Sequence, residues 1–295
     1  MSAVTLRLTG HQKDLGGGLM VRRLLPARQR RSLGPFVFFD HFGPVTVEPS
    51  SHFDVRPHPH IGLATVTYLF EGAMLHRDSL GNVQQIEPGA INWMTAGRGI
   101  VHSERRPEAL ATRSYVNHGI QLWAALPLAH EEVAPSFVHT PAAAIPELQL
   151  GAATVRVLIG AALGQTSPVA TLCPTLYLDV RLSACSTLDL PPLAQELAVY
   201  AVEGDVQIDG ETVAACTLAV LEPGASVRLH SASAPVRLVV LGGAALDAPR
   251  HIWWNFVSSR KERIVQAADD WEQQRLGQVP GETEWIPLPE RHFKV

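Results

Sequence analysis

Two short segments of this chain recur in order. Tyr68-Leu-Phe-Glu-Gly72 returns as Tyr200-Ala-Val-Glu-Gly204, an offset of 132 residues (200 − 68), and Glu87-Pro-Gly-Ala90 returns as Glu222-Pro-Gly-Ala225, an offset of 135 (222 − 87). Two echoes that share a register to within a small insertion are the trace of a duplicated domain. Around them lie apolar runs of strand length: residues 20–25, 36–39, 64–70, 91–95 and 119–125, then 155–159, 176–182, 197–202, 206–208, 217–221 and 236–241. Short strands at such spacing read as a sandwich or barrel. The 23 Gly and 22 Pro among 295 residues supply the turns, and the length suits two domains of roughly 100–200 residues each. The expected architecture is therefore all-β: two tandem jelly-roll-type β-barrels with a short C-terminal helix. Residues 1–135 form the first domain, 136–150, rich in Ala and Pro, a linker, and 151–295 the second. The helix is expected from a capping-box pair, Ser259 and Glu262, with Ile264, Ala268 and Trp271 on one face and Gly277 ending it.

The chemistry is concentrated in the first half. In Arg56-Pro-His58-Pro-His60 two imidazoles stand two residues apart, and in an extended chain such positions share a face. Pro57 and Pro59 hold Arg56 and His58 in extended geometry, because a proline disfavours the helical region for the residue before it. His102-Ser-Glu104 repeats the spacing 42 residues on (102 − 60). An isolated His-x-His pair is a weak signal. A second pair after another strand makes a metal site of His58, His60, His102 and Glu104, with Glu104 also the candidate catalytic carboxylate. Imidazole and carboxylate together suit Fe, Mn, Co, Ni, Cu or Zn, and four ligands on an octahedral ion leave two positions for water or substrate. His41, His52, His76 and His118 lack a partner at ligand spacing and read as hydrogen-bonded structural residues. Trp93, Gln121 and Trp123 are candidates to line the pocket, core packing being the alternative for both tryptophans. The second copy has no His-x-His upstream of Tyr200, and the 135-residue offset puts Arg237 where His102 would fall (102 + 135), so that domain is expected to carry no metal.

The formal net charge of −4 provides no footprint for nucleic acid, which needs clustered cations. Arg22, Arg23, Arg28, Arg30 and Arg31 read as a solvated loop following a strand. Cys173, Cys185 and Cys216, an odd count without a CxxC pair, suggest neither a disulfide framework nor a zinc ribbon. No run of about 18 apolar residues is present, as a membrane span requires. A soluble, cytoplasmic monomer is expected, with no membrane or direct nucleic-acid partner.

The stretch Gly34-Pro-Phe-Val-Phe-Phe-Asp-His-Phe-Gly-Pro44, then His58-Pro-His60, Thr65-Val-Thr-Tyr68, His76-Arg-Asp-Ser-Leu-Gly81, Trp93-Met-Thr-Ala-Gly97 and Gly99-Ile-Val-His-Ser-Glu104, closely resembles the N-terminal signature of the pirin family of bicupins. The C-terminal half resembles it more loosely, through its echo and Trp254-Asn-Phe-Val257. The resemblance implies a non-haem iron site, Fe(II) on His58, His60, His102 and Glu104, with Ni, Cu, Co, Mn or Zn as alternatives. It further implies either a quercetin 2,3-dioxygenase-type enzyme taking a small aromatic substrate, or a redox- or metal-sensing regulator that binds a transcription factor or metabolic enzyme. Hydrolase or isomerase chemistry on the same site is a third reading. One departure stands out. Many pirins carry Arg-Gly-Phe-Glu-Thr after the histidine pair, where this chain has Ile61-Gly-Leu-Ala-Thr65, so Ala64 replaces a glutamate that wider cupins use as ligand or base.

Overall fold

The computed structural model describes residues 2–15, 19–51 and 54–290; His52 lies outside them. Strands dominate, as expected, and the one α-helix among the described residues is Lys261–Glu272. The chain divides into two compact units that interleave along the sequence. One, here the histidine unit, comprises Gln12–Arg22, Phe39–Ala142 and Leu246–Val295; the other, the aliphatic unit, comprises Met1–His11, Arg23–Phe38 and Ala143–Ala245. The segment beyond residue 245 therefore groups with the first barrel, and the N-terminal strand Val4–Leu8 with the second, where it pairs with Leu218–Leu221.

Each unit has a seven-stranded and a four-stranded antiparallel sheet. In the histidine unit the larger sheet runs Ser136–Thr140, Ile91–Thr95, Leu63–Glu71, Tyr115–Ala125, Phe36–Val47, Met20–Leu25, His11–Asp14, and the smaller Val55–His60, Ile100–Arg105, Met74–Asp78, Val83–Ile86. The aliphatic unit repeats this order as Val4–Leu8, Leu218–Leu221, Glu196–Glu203, Val236–Gly243, Thr175–Leu182, Ala153–Ile159, Glu147–Leu150, with Thr187–Leu190, Val227–Ser231, Val206–Ile208, Glu211–Val213 as its smaller sheet. The first echo falls at matching places, whereas the second does not: Glu87–Ala90 precedes Ile91–Thr95, and Glu222–Ala225 follows Leu218–Leu221, the strand that matches it. Gly72 and Gly204 end the matching central strands at φ 87° and 75°, and Gly89 and Gly224 close turns at φ 84° and 77°. Left-handed backbone of this kind is open to glycine without steric cost, which explains why the glycines recur.

Three expectations are corrected. Residues 136–150 are largely strand rather than linker: Ser136–Thr140 pairs with Ile91–Thr95 and Glu147–Leu150 with Ala153–Ile159, the alternation Phe137, His139 being hidden by the surrounding Ala and Pro. The helix has Arg260 as its N-cap and no side-chain cap, because Ser259 donates instead to Glu131 at 2.8 Å; it ends at Glu272, with Gln274 at φ 55° rather than Gly277 turning the chain. Its buried face is Ile264, Ala267 and Trp271. Third, the strand matching Ile100–Arg105 is Val227–Ser231, not the one that carries Arg237. Counting from Gly72 and Gly204, His76 matches Ile208; Glu104 pairs with His76 and Leu229 with Ile208, so Val227 and Leu229 stand where His102 and Glu104 stand, and both lie in a continuous aliphatic core with Leu188 and Leu190. Arg237 pairs with Asp179 at 2.7 Å. Of the arginine cluster, Arg22 and Arg23 are in a strand, Arg23 lies 4.3 Å over the Phe38 ring, and Arg30 pairs with Glu196 at 2.6 Å.

Candidate metal centre

The strand Val55–His60 is at the edge of its sheet, where two prolines without N–H groups cost no ladder bonds to a further strand. It pairs with Ile100–Arg105 so that His58 faces His102 directly. His58, His60 and His102 are buried, and one ring nitrogen from each falls in a group whose members all lie within 4.8 Å of one another. The ring centroids are 4.4 Å apart for His58 and His102, 5.0 Å for His58 and His60, and 5.1 Å for His60 and His102.

The hydrogen bonds settle which nitrogens are available. His58 Nδ1–H donates to the Arg56 carbonyl at 2.9 Å and His60 Nδ1–H to the Asn255 carbonyl at 3.0 Å. A carbonyl can only accept, so both rings carry their proton on Nδ1 and present the Nε2 lone pair. His102 has neither ring nitrogen hydrogen-bonded although both are buried. Burial lowers the His58 pKa to about 4 and, reinforced by the neighbouring imidazoles, holds His60 and His102 well below the ordinary histidine range. Three neutral imidazoles converge, one of them with no partner for either nitrogen, and this donor set fits a transition-metal ion.

Glu104 is separated from His102 by a break in the pairing register and does not join the 4.8 Å group. Its carboxyl is partly shielded from solvent, and burial pushes its pKa up to about 7. It lines a cavity of about 20 Å³ together with Asp54, Arg106, Tyr115 and Asn117. That is room for about one water molecule.

The face of the large sheet toward the histidines follows from register. Trp123 pairs with Thr65 and meets the His60 ring edge-on at 5.0 Å, and Gln121, two residues before, shares that face. Trp93 pairs with Val66, one residue out of phase with Thr65, and so is on the opposite face, where its Nε1 donates to Thr95. The same phase puts Ala64 on the far face, so the glutamate missing there removes no group pointing at the histidines.

Three neighbours were not placed at the centre by the sequence reading, which took His76 only as a hydrogen-bonded structural residue. His76 stacks on Phe137 at 4.2 Å, lies 5.3 Å from His102, and is held through Nε2 by the buried Asp78 at 2.9 Å. The i, i+2 pair His76 and Asp78 is the signal that could have found it. Glu282 accepts from Ser103 Oγ and from Arg105, on either side of Glu104, with Arg105 Nε at 3.0 Å. Asn255, 195 residues from His60, lies in the Trp254-Asn-Phe-Val257 segment, to which the sequence assigned no role. His41 and His118 meet each other through their Nε2 atoms at 2.8 Å, consistent with a hydrogen-bonded role.

The family model described as Pirin matches residues 18–124, and that of the Pirin C-terminal cupin domain matches 177–277. This chain belongs to the pirin family. A pirin-like protein from Caulobacter vibrioides is 42% identical over 292 residues, covering 97% of this chain and 100% of that one. Mouse pirin is 35% identical, covering 93% of each. Among solved structures, a quercetin 2,3-dioxygenase from Acinetobacter baumannii superposes on this pirin with a TM-score of 0.90 at 32% identity, over 98% of this chain and 96% of that one. The two β units are thus the two cupin domains of a bicupin. Among the described residues, no helix of this pirin is long and apolar enough to cross a membrane.

Proposed function

We propose that His58, His60, His102 and Glu104 hold one divalent metal ion, Fe(II) in the first instance, and that the protein is a dioxygenase of the quercetin 2,3-dioxygenase type acting on a small phenolic substrate. The observation that carries the metal reading is His102, buried with both ring nitrogens unpartnered among imidazoles held neutral. The named activity of the Acinetobacter relative supports the reaction class. A metal in this site would supply Lewis acidity toward a substrate hydroxyl and a route for electrons to O2. His58 and His60 present Nε2 because their Nδ1 protons are committed to carbonyls. Trp123 gives the site an apolar wall beside His60. Glu104, which lines the narrow cavity, would either remain a ligand or take the proton of an incoming substrate hydroxyl. Ni, Cu, Co, Mn and Zn suit the same donors, so the metal in use follows supply as well as affinity.

The test is the aerobic absorbance of quercetin with anaerobically iron-loaded protein, His102→Ala serving as control. The flavonol band should disappear with the wild type alone. An unchanged band over iron-bearing wild type rejects the enzyme reading. A second reading is a redox- or metal-sensing regulator whose ferrous and ferric forms differ in affinity for a protein partner. Equal capture of a partner by metal-free, ferrous and ferric protein would reject that one.

A further inference from the structure

The segment after residue 245 belongs to the histidine unit, and within it His251–Trp253 and Phe256–Ser258 form a hairpin. Trp253 pairs with Phe256, which leaves Trp254 and Asn255 as a two-residue turn. Trp254 takes φ 53°. That region is unfavourable for a bulky side chain, and two-residue hairpins with positive φ at the first central position favour glycine there. A conformation of this kind persists only where its surroundings enforce it.

Here the surroundings are aromatic. The Trp254 ring meets Phe256 edge-on at 5.4 Å and lies 6.5 Å from Trp271, which is itself buried and donates its Nε1–H to the Ile286 carbonyl at 2.9 Å. The hairpin is laid against the strand of the histidine pair: Val257 N–H donates to the Ile61 carbonyl at 3.2 Å. The approach is so close that a Cβ on Gly62 would sit 1.9 Å from the Val257 carbonyl oxygen, so residue 62 has no room for a side chain. The outcome of this arrangement is the Asn255 carbonyl, 3.0 Å from His60 Nδ1.

We propose that Trp254 is a positioning residue for the centre: by locking the turn it aims the Asn255 carbonyl at His60 and so fixes both the tautomer and the ring orientation that turn Nε2 toward His58 and His102. The proposal rests on the metal reading of the three histidines, and it gives a task to the Trp254-Asn-Phe-Val257 motif that the sequence alone left without one. A carbonyl acceptor on the distal nitrogen is how many metal-binding histidines are oriented, and loss of such a partner typically lowers metal affinity about 10- to 100-fold. His58 draws the same service from Arg56 on its own strand. His60 depends on a segment 195 residues away.

The experiment compares wild type, Trp254→Gly and Trp254→Phe. Glycine adopts positive φ freely, so the turn stays allowed while its aromatic anchor is lost; phenylalanine keeps an anchor. Ring-nitrogen NMR on the metal-free proteins reads the His60 tautomer, and competition with a chelator reads Co(II) affinity. Wild type and Trp254→Phe should show His60 protonated on Nδ1 alone. Trp254→Gly should populate both tautomers and bind Co(II) about 10- to 100-fold more weakly. Should the glycine variant fail to fold, Trp254→Leu takes its place, since Leu163 in this chain already tolerates φ 53°. An unchanged tautomer and affinity in the folded variant overturns the proposal. A wild type that binds no Co(II) rejects the metal reading instead, and the tautomer comparison then decides the role of Trp254 alone.

Discussion

The Glu104 carboxyl is pushed up to about 7 from an ordinary value of 4.5. A carboxyl raised in the folded state contributes stability that is full below the lower value and is lost as pH rises through the upper one. The histidines act in the opposite sense: their lowered folded pKa values mean that acid, below about 6.5, favours the unfolded chain. Comparison with Glu104→Gln separates the two. In chelator, the metal-free wild type should be less stable than this variant above about pH 7 and comparable to it near pH 5, as urea midpoints would show. A difference independent of pH would mean that Glu104 is not charged at a cost in the folded protein. At this scale much of the site was legible, because spacing i, i+2 in an extended chain is local geometry that two prolines reinforce. Asn255 and Glu282 were not, since they meet the centre only through the fold.

Elements were legible where burial is apolar. The runs at residues 20–25, 91–95 and 206–208 coincide with strands, the run at 36–39 lengthens to Val47, and the others shift by one to four residues at an end. Met74–Asp78 and Val83–Ile86 went unread for a physical reason: their faces toward the site carry His76, Asp78 and Gln84, so a functional interior inverts the pattern of buried apolar residues that announces a strand. The helix was found by its stripe, but its cap was misjudged because Ser259 has a better partner in Glu131, a residue remote in sequence. The helix is held through Trp271, which packs with Ile61, Val101 and Phe256 around the ligand strands. Trp271→Ala should therefore destabilise the protein by about 3–5 kcal/mol in denaturant unfolding, as truncation of a large buried aromatic does. A loss below about 1 kcal/mol would mean that the helix is not anchored by this side chain.

On the scale of the molecule, two units of one architecture carry different interiors. The echoes revealed the duplication, while the exchange of terminal segments, Val4–Leu8 with the aliphatic unit and the chain beyond residue 245 with the histidine unit, was hidden because it consists only of long-range pairings. The linear offset that aligned Arg237 with His102 failed because the Glu-Pro-Gly turns that set it are not equivalent, one preceding Ile91–Thr95 and the other following the matching Leu218–Leu221; the fold aligns Val227 and Leu229 with the ligand positions instead. Aliphatic side chains there leave nothing to bind a cation, so the duplication should provide one centre rather than two. The most direct measurement is an anaerobic titration with Co(II), read by its visible absorption, of wild type and His102→Ala. One ion per chain in wild type, with binding lost in the variant, is the expected result; two ions per chain, or undiminished binding in His102→Ala, would contradict a single centre built on His58, His60 and His102.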